Sequence, residues 1–89
     1  MNKFFYTYVL ISQKDLKLYI GWTINLEKRI NKHNHGLIKA TKYRTPLKLV
    51  YYEACLNKKL AIVREKTLKT GFGRKYLKSR IKYRYILPG

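Results

Sequence analysis

FFYTYVLISQKDLKLYIGW, residues 4–22, is the stretch that decides this fold. Residues 4–12 are aromatic and β-branched and predict a strand; KLYIGW, residues 17–22, predicts a second. Only residues 13–16 (QKDL) separate them, so the two strands pair as an antiparallel hairpin. A turn centred on Gln13 and Lys14 sets Tyr8 opposite Tyr19, and one centred on Lys14 and Asp15 sets Tyr8 opposite Gly21. Directly opposed residues share a face and side chains alternate along each strand. Both registers therefore place Tyr8, Tyr19 and Gly21 on one face, and a slip of one residue would separate them.

Working outward, Thr23 or Asn25 caps a helix over residues 25–35, which Gly36 ends. Leu26, Ile30 and His33 form one stripe of that helix, and Arg29 and His33, four residues apart, are neighbours on its surface. Residues 36–46 are basic and irregular, and residues 47–54 (LKLVYYEA) predict a third strand. A second helix is expected over residues 57–70, with Ala61, Glu65, Leu68 and Phe72 on one face. The GFG of residues 71–73 is read as a break, and residues 74–83 as a third, strongly basic helix. The expected class is α+β: a three-stranded antiparallel sheet begun by an N-terminal hairpin and flanked by about three helices, in the order β-β-α-β-α-α, as one domain over residues 1–89.

Charge narrows the function. The chain carries 21 Lys and Arg against 4 Asp and Glu, a formal charge of +17 spread from Lys3 to Arg84. So positive a field repels itself, and a polyphosphate relieves it by giving up condensed counterions. A membrane surface fits less well, because no clean basic amphipathic helix dominates the chain. The single cysteine, Cys55, excludes an internal disulfide framework and lies near no nucleophile motif. The apolar N-terminal run is short and broken by Thr7 and tyrosines, with no cleavage site after it, so a cytoplasmic protein is expected.

The arrangement resembles the GIY-YIG nuclease domain. Tyr6-Thr7-Tyr8 stands where that family has its first tripeptide, and Tyr19-Ile20-Gly21 is the second one intact, eleven positions on from Tyr8. Arg29 follows Gly21 by eight residues and His33 follows Arg29 by four, in GWTINLEKRINKH, while Glu65 falls in REKTLK where the family places its metal ligand. The resemblance covers nearly the whole chain and is closest to small stand-alone bacterial members related to the nuclease domain of excinuclease C. Two departures stand out: Tyr6 and Thr7 replace Gly and Ile, and no Asn follows Asn57, although the family often has a late one in its site.

The resemblance implies a DNA endonuclease, with branched or damaged DNA of repair or recombination as the expected substrate. With only four acids, a carboxylate cluster for two metals is hard to assemble, and Glu65 holding one Mg²⁺ or Mn²⁺ with several waters is the economical arrangement. Tyr8 is then the expected general base. A phenol titrates near 10 and needs adjacent positive charge, which Arg29, His33 and the metal would supply. Tyr19 would orient the water or the phosphate, Arg29 would bind developing phosphoryl charge, and His33 would accept or relay a proton. Gly21 would admit backbone or substrate, Trp22 and Tyr43 would stack on bases, and Lys39, Lys42 and Arg44 would contact phosphates. Lys75, Lys78, Arg80 and Lys82 form a second expected contact face. No small-molecule cofactor is expected, and a protein partner could supply specificity. The alternative is a non-catalytic basic nucleic-acid-binding module, which the charge supports equally.

Overall fold

A computed structural model describes residues 3–81. Its elements are β1 (Phe5–Ser12), β2 (Leu18–Thr23), α1 (Leu26–Asn34), β3 (Leu47–Cys55), α2 (Lys58–Leu68) and α3 (Gly71–Arg80). The expected α+β class and the β-β-α-β-α-α order hold. Lys82, the last member of the expected second contact face, lies outside the described residues.

β1 is the middle strand of the antiparallel sheet β2-β1-β3. That position suits its unbroken apolar run, because a central strand is buried on both faces. Tyr8, Val9, Leu10 and Ile11 are fully buried. Of the two registers left open above, the second is observed: Tyr8 faces Gly21 on β2, and it faces Tyr52 on β3.

The third strand is not the simple alternation its sequence suggests. Val9 opposes Tyr51 but Leu10 opposes Leu49, so Val50 is the extra residue of a bulge. The bulge has a packing reason. It lets Leu47 and Leu49 join Leu10 in one cluster while Val50 and Tyr51 both join the other. Strict alternation would have turned Leu47 and Leu49 away from Leu10's face.

Two layers cover the sheet. On one face Tyr8, Leu10 and Leu47 pack with Tyr19, Leu49, and Leu26 and Ile30 of α1. On the other, Val9 and Ile20 pack against Leu68 of α2, Leu77 of α3 and Ile81. Asn25 rather than Thr23 caps α1, accepting from the Lys28 amide. Asn34 ties the far end of α1 to β3 by bonding both the amide and the carbonyl of Leu47 at 2.7 and 2.9 Å.

Two expectations at the α2–α3 junction need correcting. The GFG stretch does not separate the helices: Thr70 caps α3, accepting from the Gly73 amide, so the two glycines fall in the first turn of α3. Gly73 is there for close approach, since a Cβ would sit 2.3 Å from the Leu68 Cα. Phe72 does not share the buried stripe of Ala61 and Leu68 but is 89% exposed. No helix among the described residues is long and apolar enough to cross a membrane.

Candidate active site

The hairpin register and one helix turn assemble the centre of the site. Tyr8 projects from β1 toward α1, where Arg29 and His33 lie one turn apart. The phenol oxygen and His33 Nε2 are 2.8 Å apart, and Arg29 Nε donates to the same oxygen at a longer 3.4 Å. His33 Nδ1 lies 2.6 Å from Thr41 Oγ1. Tyr19 completes the cluster, its ring 5.0 Å from the imidazole and 6.4 Å from the Tyr8 ring, centroid to centroid. Tyr8, His33 and Thr41 are all fully buried.

Gly21 has a packing role inside the fold. A Cβ there would lie 2.6 Å from the Tyr8 hydroxyl oxygen. The space a side chain would occupy is taken by the phenol, so the Tyr8 side chain across the hairpin requires a glycine at 21.

Burial sets the protonation of this chain. It lowers the His33 pKa to about 4, and the neighbouring Arg29 charge pushes the same way. His33 is therefore neutral at ordinary pH and cannot supply the positive charge expected of it above. Burial also raises the Tyr8 phenol; the Arg29 hydrogen bond opposes that, and the charges of Tyr19 and Glu65 add to it. The contacts allow a continuous proton order in which Arg29 donates to the Tyr8 oxygen, Tyr8 donates to His33 Nε2, and His33 Nδ1–H donates to Thr41; the other neutral tautomer reverses the last two.

The depressed His33 pKa gives a stability prediction. The ordinary value is near 6.5, so the unfolded chain takes up a proton that the fold resists. Stability from this residue is complete above pH 6.5 and falls as pH drops toward 4, by on the order of 2 kcal/mol by pH 4.5. Asp15 does not interfere in that window, because Arg44 holds its carboxyl down to about 2. Urea unfolding at pH 7 and pH 4.5 should show this loss, and His33→Gln should remove most of the difference.

Glu65, the expected metal ligand, stands on α2, where its charge adds to the raising of the Tyr8 phenol. Its side chain is 18% exposed and bonds Lys69 Nζ one turn on at 2.6 Å. The other acids are placed elsewhere. Asp15 pairs with Arg44 at 2.7 Å, Glu53 is bracketed by Arg64 at 2.8 and 2.9 Å, and Glu27 lies in the first turn of α1. Among the described residues no three His, Cys, Asp or Glu come together to hold an ion. One carboxylate that retains solvent access suits a hydrated Mg²⁺, which keeps most of its waters, and does not suit a closed zinc or two-metal site.

Beside this cluster lies a cleft of about 470 Å³ lined by Phe5, Trp22, Thr23, Ile24, Arg29 and Lys58. Lys58 Nζ sits 5.4 Å from the centre of the Trp22 ring. Arg29 and Trp22, both expected at the site, thus meet in one cleft, together with Lys58, which sequence reasoning did not single out. Thr41 was also missed. It lies in the loop that reads as basic and irregular, and only the folding of that loop onto α1 brings it to His33.

The remaining expected contacts divide. Lys39, Lys42 and Lys75 are exposed, and Lys42 lies over the Tyr43 ring at 4.9 Å. Arg44 is a strut: it bonds both oxygens of Asp15 and the Lys17 carbonyl, pinning the loop to the hairpin turn. Lys78 lines a separate groove on the hairpin side of α3.

Comparison with known proteins agrees with this geometry. The GIY-YIG catalytic domain family matches residues 4–78. A UPF0213 protein of Clostridium perfringens is 52% identical over 65 residues, covering 72% of this chain and 69% of the relative. A UPF0213 protein of Staphylococcus saprophyticus is 45% identical over 74 residues, covering 82% and 89%, and one of Haloquadratum walsbyi is 37% identical over 71 residues, covering 79% of each. No solved structure matches the chain significantly.

Proposed function

The chain belongs to the GIY-YIG family of nuclease catalytic domains, and from that premise we propose that it hydrolyses DNA phosphodiester bonds with one divalent ion at Glu65 and Tyr8 as general base. Membership by itself implies endonuclease activity, a DNA substrate and a general dependence on metal. The residue roles are the finer part of the reading. The observation that carries them is the buried chain from Arg29 through Tyr8 and His33 to Thr41, opening on a cationic cleft.

Phosphate enters the cleft against Arg29 and Lys58, and the guanidinium offers a planar fork to its oxygens. The Arg29–Tyr8 bond is long, so a bound phosphate competes well for that guanidinium. As Arg29 turns to the phosphate, the buried phenol is uncovered toward the cleft. Tyr8 then takes a proton from the attacking water while passing its own to His33 Nε2. A neutral imidazole is what this relay requires, and burial keeps His33 neutral. The relay uses the tautomer in which Nδ1–H donates to Thr41 and Nε2 is free to accept. No standing phenolate is needed, which fits a phenol that burial has raised. The ion held by Glu65, Mg²⁺ or Mn²⁺, would neutralise charge on the phosphoryl oxygens and the departing oxygen. Tyr19, packed edge-on against the imidazole, holds the ring in place.

Exposed Lys39, Lys42 and Lys75 extend the contact to the DNA backbone. Such contacts orient the duplex and carry little sequence information, so specificity would come from DNA structure or from a partner protein. The test is direct. Purified protein should nick supercoiled plasmid with Mg²⁺ or Mn²⁺, and EDTA should abolish nicking while leaving DNA binding intact. A protein that binds DNA and never nicks plasmid or branched DNA under either ion is instead the non-catalytic module.

A further inference from the structure

We propose that the groove beside α3 and the hairpin turn is a second phosphate-binding subsite, which takes the DNA strand leading away from the scissile phosphate. The groove has a volume of about 710 Å³. Lys17 on one side, and Lys69, Arg74 and Lys78 on the other, supply its charge. Leu16, Leu18 and Ile20 form its apolar floor.

Three observations point to this occupant. The first is continuity. Lys69 lines the groove and at the same time bonds the Glu65 carboxylate at 2.6 Å, so the groove begins one ion pair from the expected metal ligand. β2 also joins the two openings: Trp22 and Thr23 wall the cleft, while Leu18 and Ile20 floor the groove. At the rise of a strand, Leu18 and Trp22 are about 13 Å apart, so a chain of phosphates can run along β2 from one to the other.

The second is charge. Among the described residues no carboxylate pairs with Lys17, Arg74 or Lys78. Like charges gathered at one groove repel and call for an anionic guest. A second copy of a chain at +17 is a poor one. The third is the floor. It is apolar and framed by cations, so it offers contact to sugars while the cations meet phosphates, contacts that carry no sequence information. Lys17, Lys69 and Arg74 are not contacts that the sequence singled out, and Lys75, which it did, does not line this groove.

The direction of the strand rests on the hydrolytic reading above; the binding does not, and the experiment keeps them apart. Fluorescence anisotropy of a labelled oligothymidylate of about twelve nucleotides is measured across salt in EDTA so that no cleavage intervenes, with nicking of plasmid assayed separately under Mg²⁺. Removing two phosphate contacts with Lys17→Ala/Arg74→Ala should lower the slope of log affinity against log salt by about 1.4. The control Lys59→Ala/Lys66→Ala removes the same charge from exposed positions of α2 that line neither opening, and should lower the slope by less than half as much. Equal losses from the two pairs would overturn the proposal in favour of a diffuse field. A groove pair that loses affinity for poly-L-glutamate but not for the oligonucleotide would also overturn it, assigning the groove to an acidic protein. A protein that hydrolyses nothing yet shows the selective loss would leave the subsite standing and remove only the catalytic reading.

Discussion

Glu65→Gln is expected to lower metal-dependent cleavage by at least about a thousandfold, equivalent to about 4 kcal/mol of transition-state stabilisation. The amide keeps the reach of the side chain but removes the carboxylate charge proposed to hold the divalent ion. The fold should tolerate it. The Lys69 partner is half exposed, and such surface pairs contribute about 0–1 kcal/mol. DNA affinity should stay the same or rise slightly, since one negative charge leaves a basic surface. Single-turnover nicking, anisotropy with DNA and electron paramagnetic resonance of bound Mn²⁺ separate the three quantities. Unchanged Mn²⁺ binding together with unchanged nicking would place the metal elsewhere and remove Glu65 from the mechanism.

Tyr8→Phe should cost about 10²- to 10⁴-fold in the cleavage step, the range of a lost general base. It also carries a structural cost that must be read separately. His33 Nε2 loses the phenol oxygen in a buried setting, worth about 1–3 kcal/mol of stability, while the part-buried Arg29 Nε can turn to the cleft. Rates should therefore be measured well below the melting temperature, beside a Tyr19→Phe variant whose hydroxyl has no place in the proton chain. If Tyr8→Phe cleaves at the wild-type rate, the base role passes to Tyr19 or His33. If both single variants are equally slow, packing and not proton transfer explains the loss.

Much of this geometry was legible because it depends on local rules. The hairpin follows from two β-rich runs and a short polar turn, and parity along a strand already puts Tyr8, Tyr19 and Gly21 on one face. The four-residue interval from Arg29 to His33 needs only a helix. What could not be read depends on which segments meet. The bulge at Val50 answers two facing layers, each demanding its own apolar residues from β3. Gly71 and Gly73 look like a helix break in isolation, and only the closeness of α2 to α3 shows why Gly73 must lack a Cβ. Arg44 cannot be told from other loop cations until the loop folds back on Asp15. His33 was expected to lend positive charge, yet its charge state is set by burial, which has no local signature.

The sequence by itself determined the class of fold, the family and the set of candidate site residues, because these follow from periodicity and from the spacing of a few residues along one chain. Tertiary structure alone decided which hydroxyl backs His33, that the imidazole is neutral, that Lys58 shares a cleft with Arg29 and that Lys69 links Glu65 to a second groove. The physical reason is that desolvation and charge coupling depend on the distance between segments in space, and separation along the chain does not encode it.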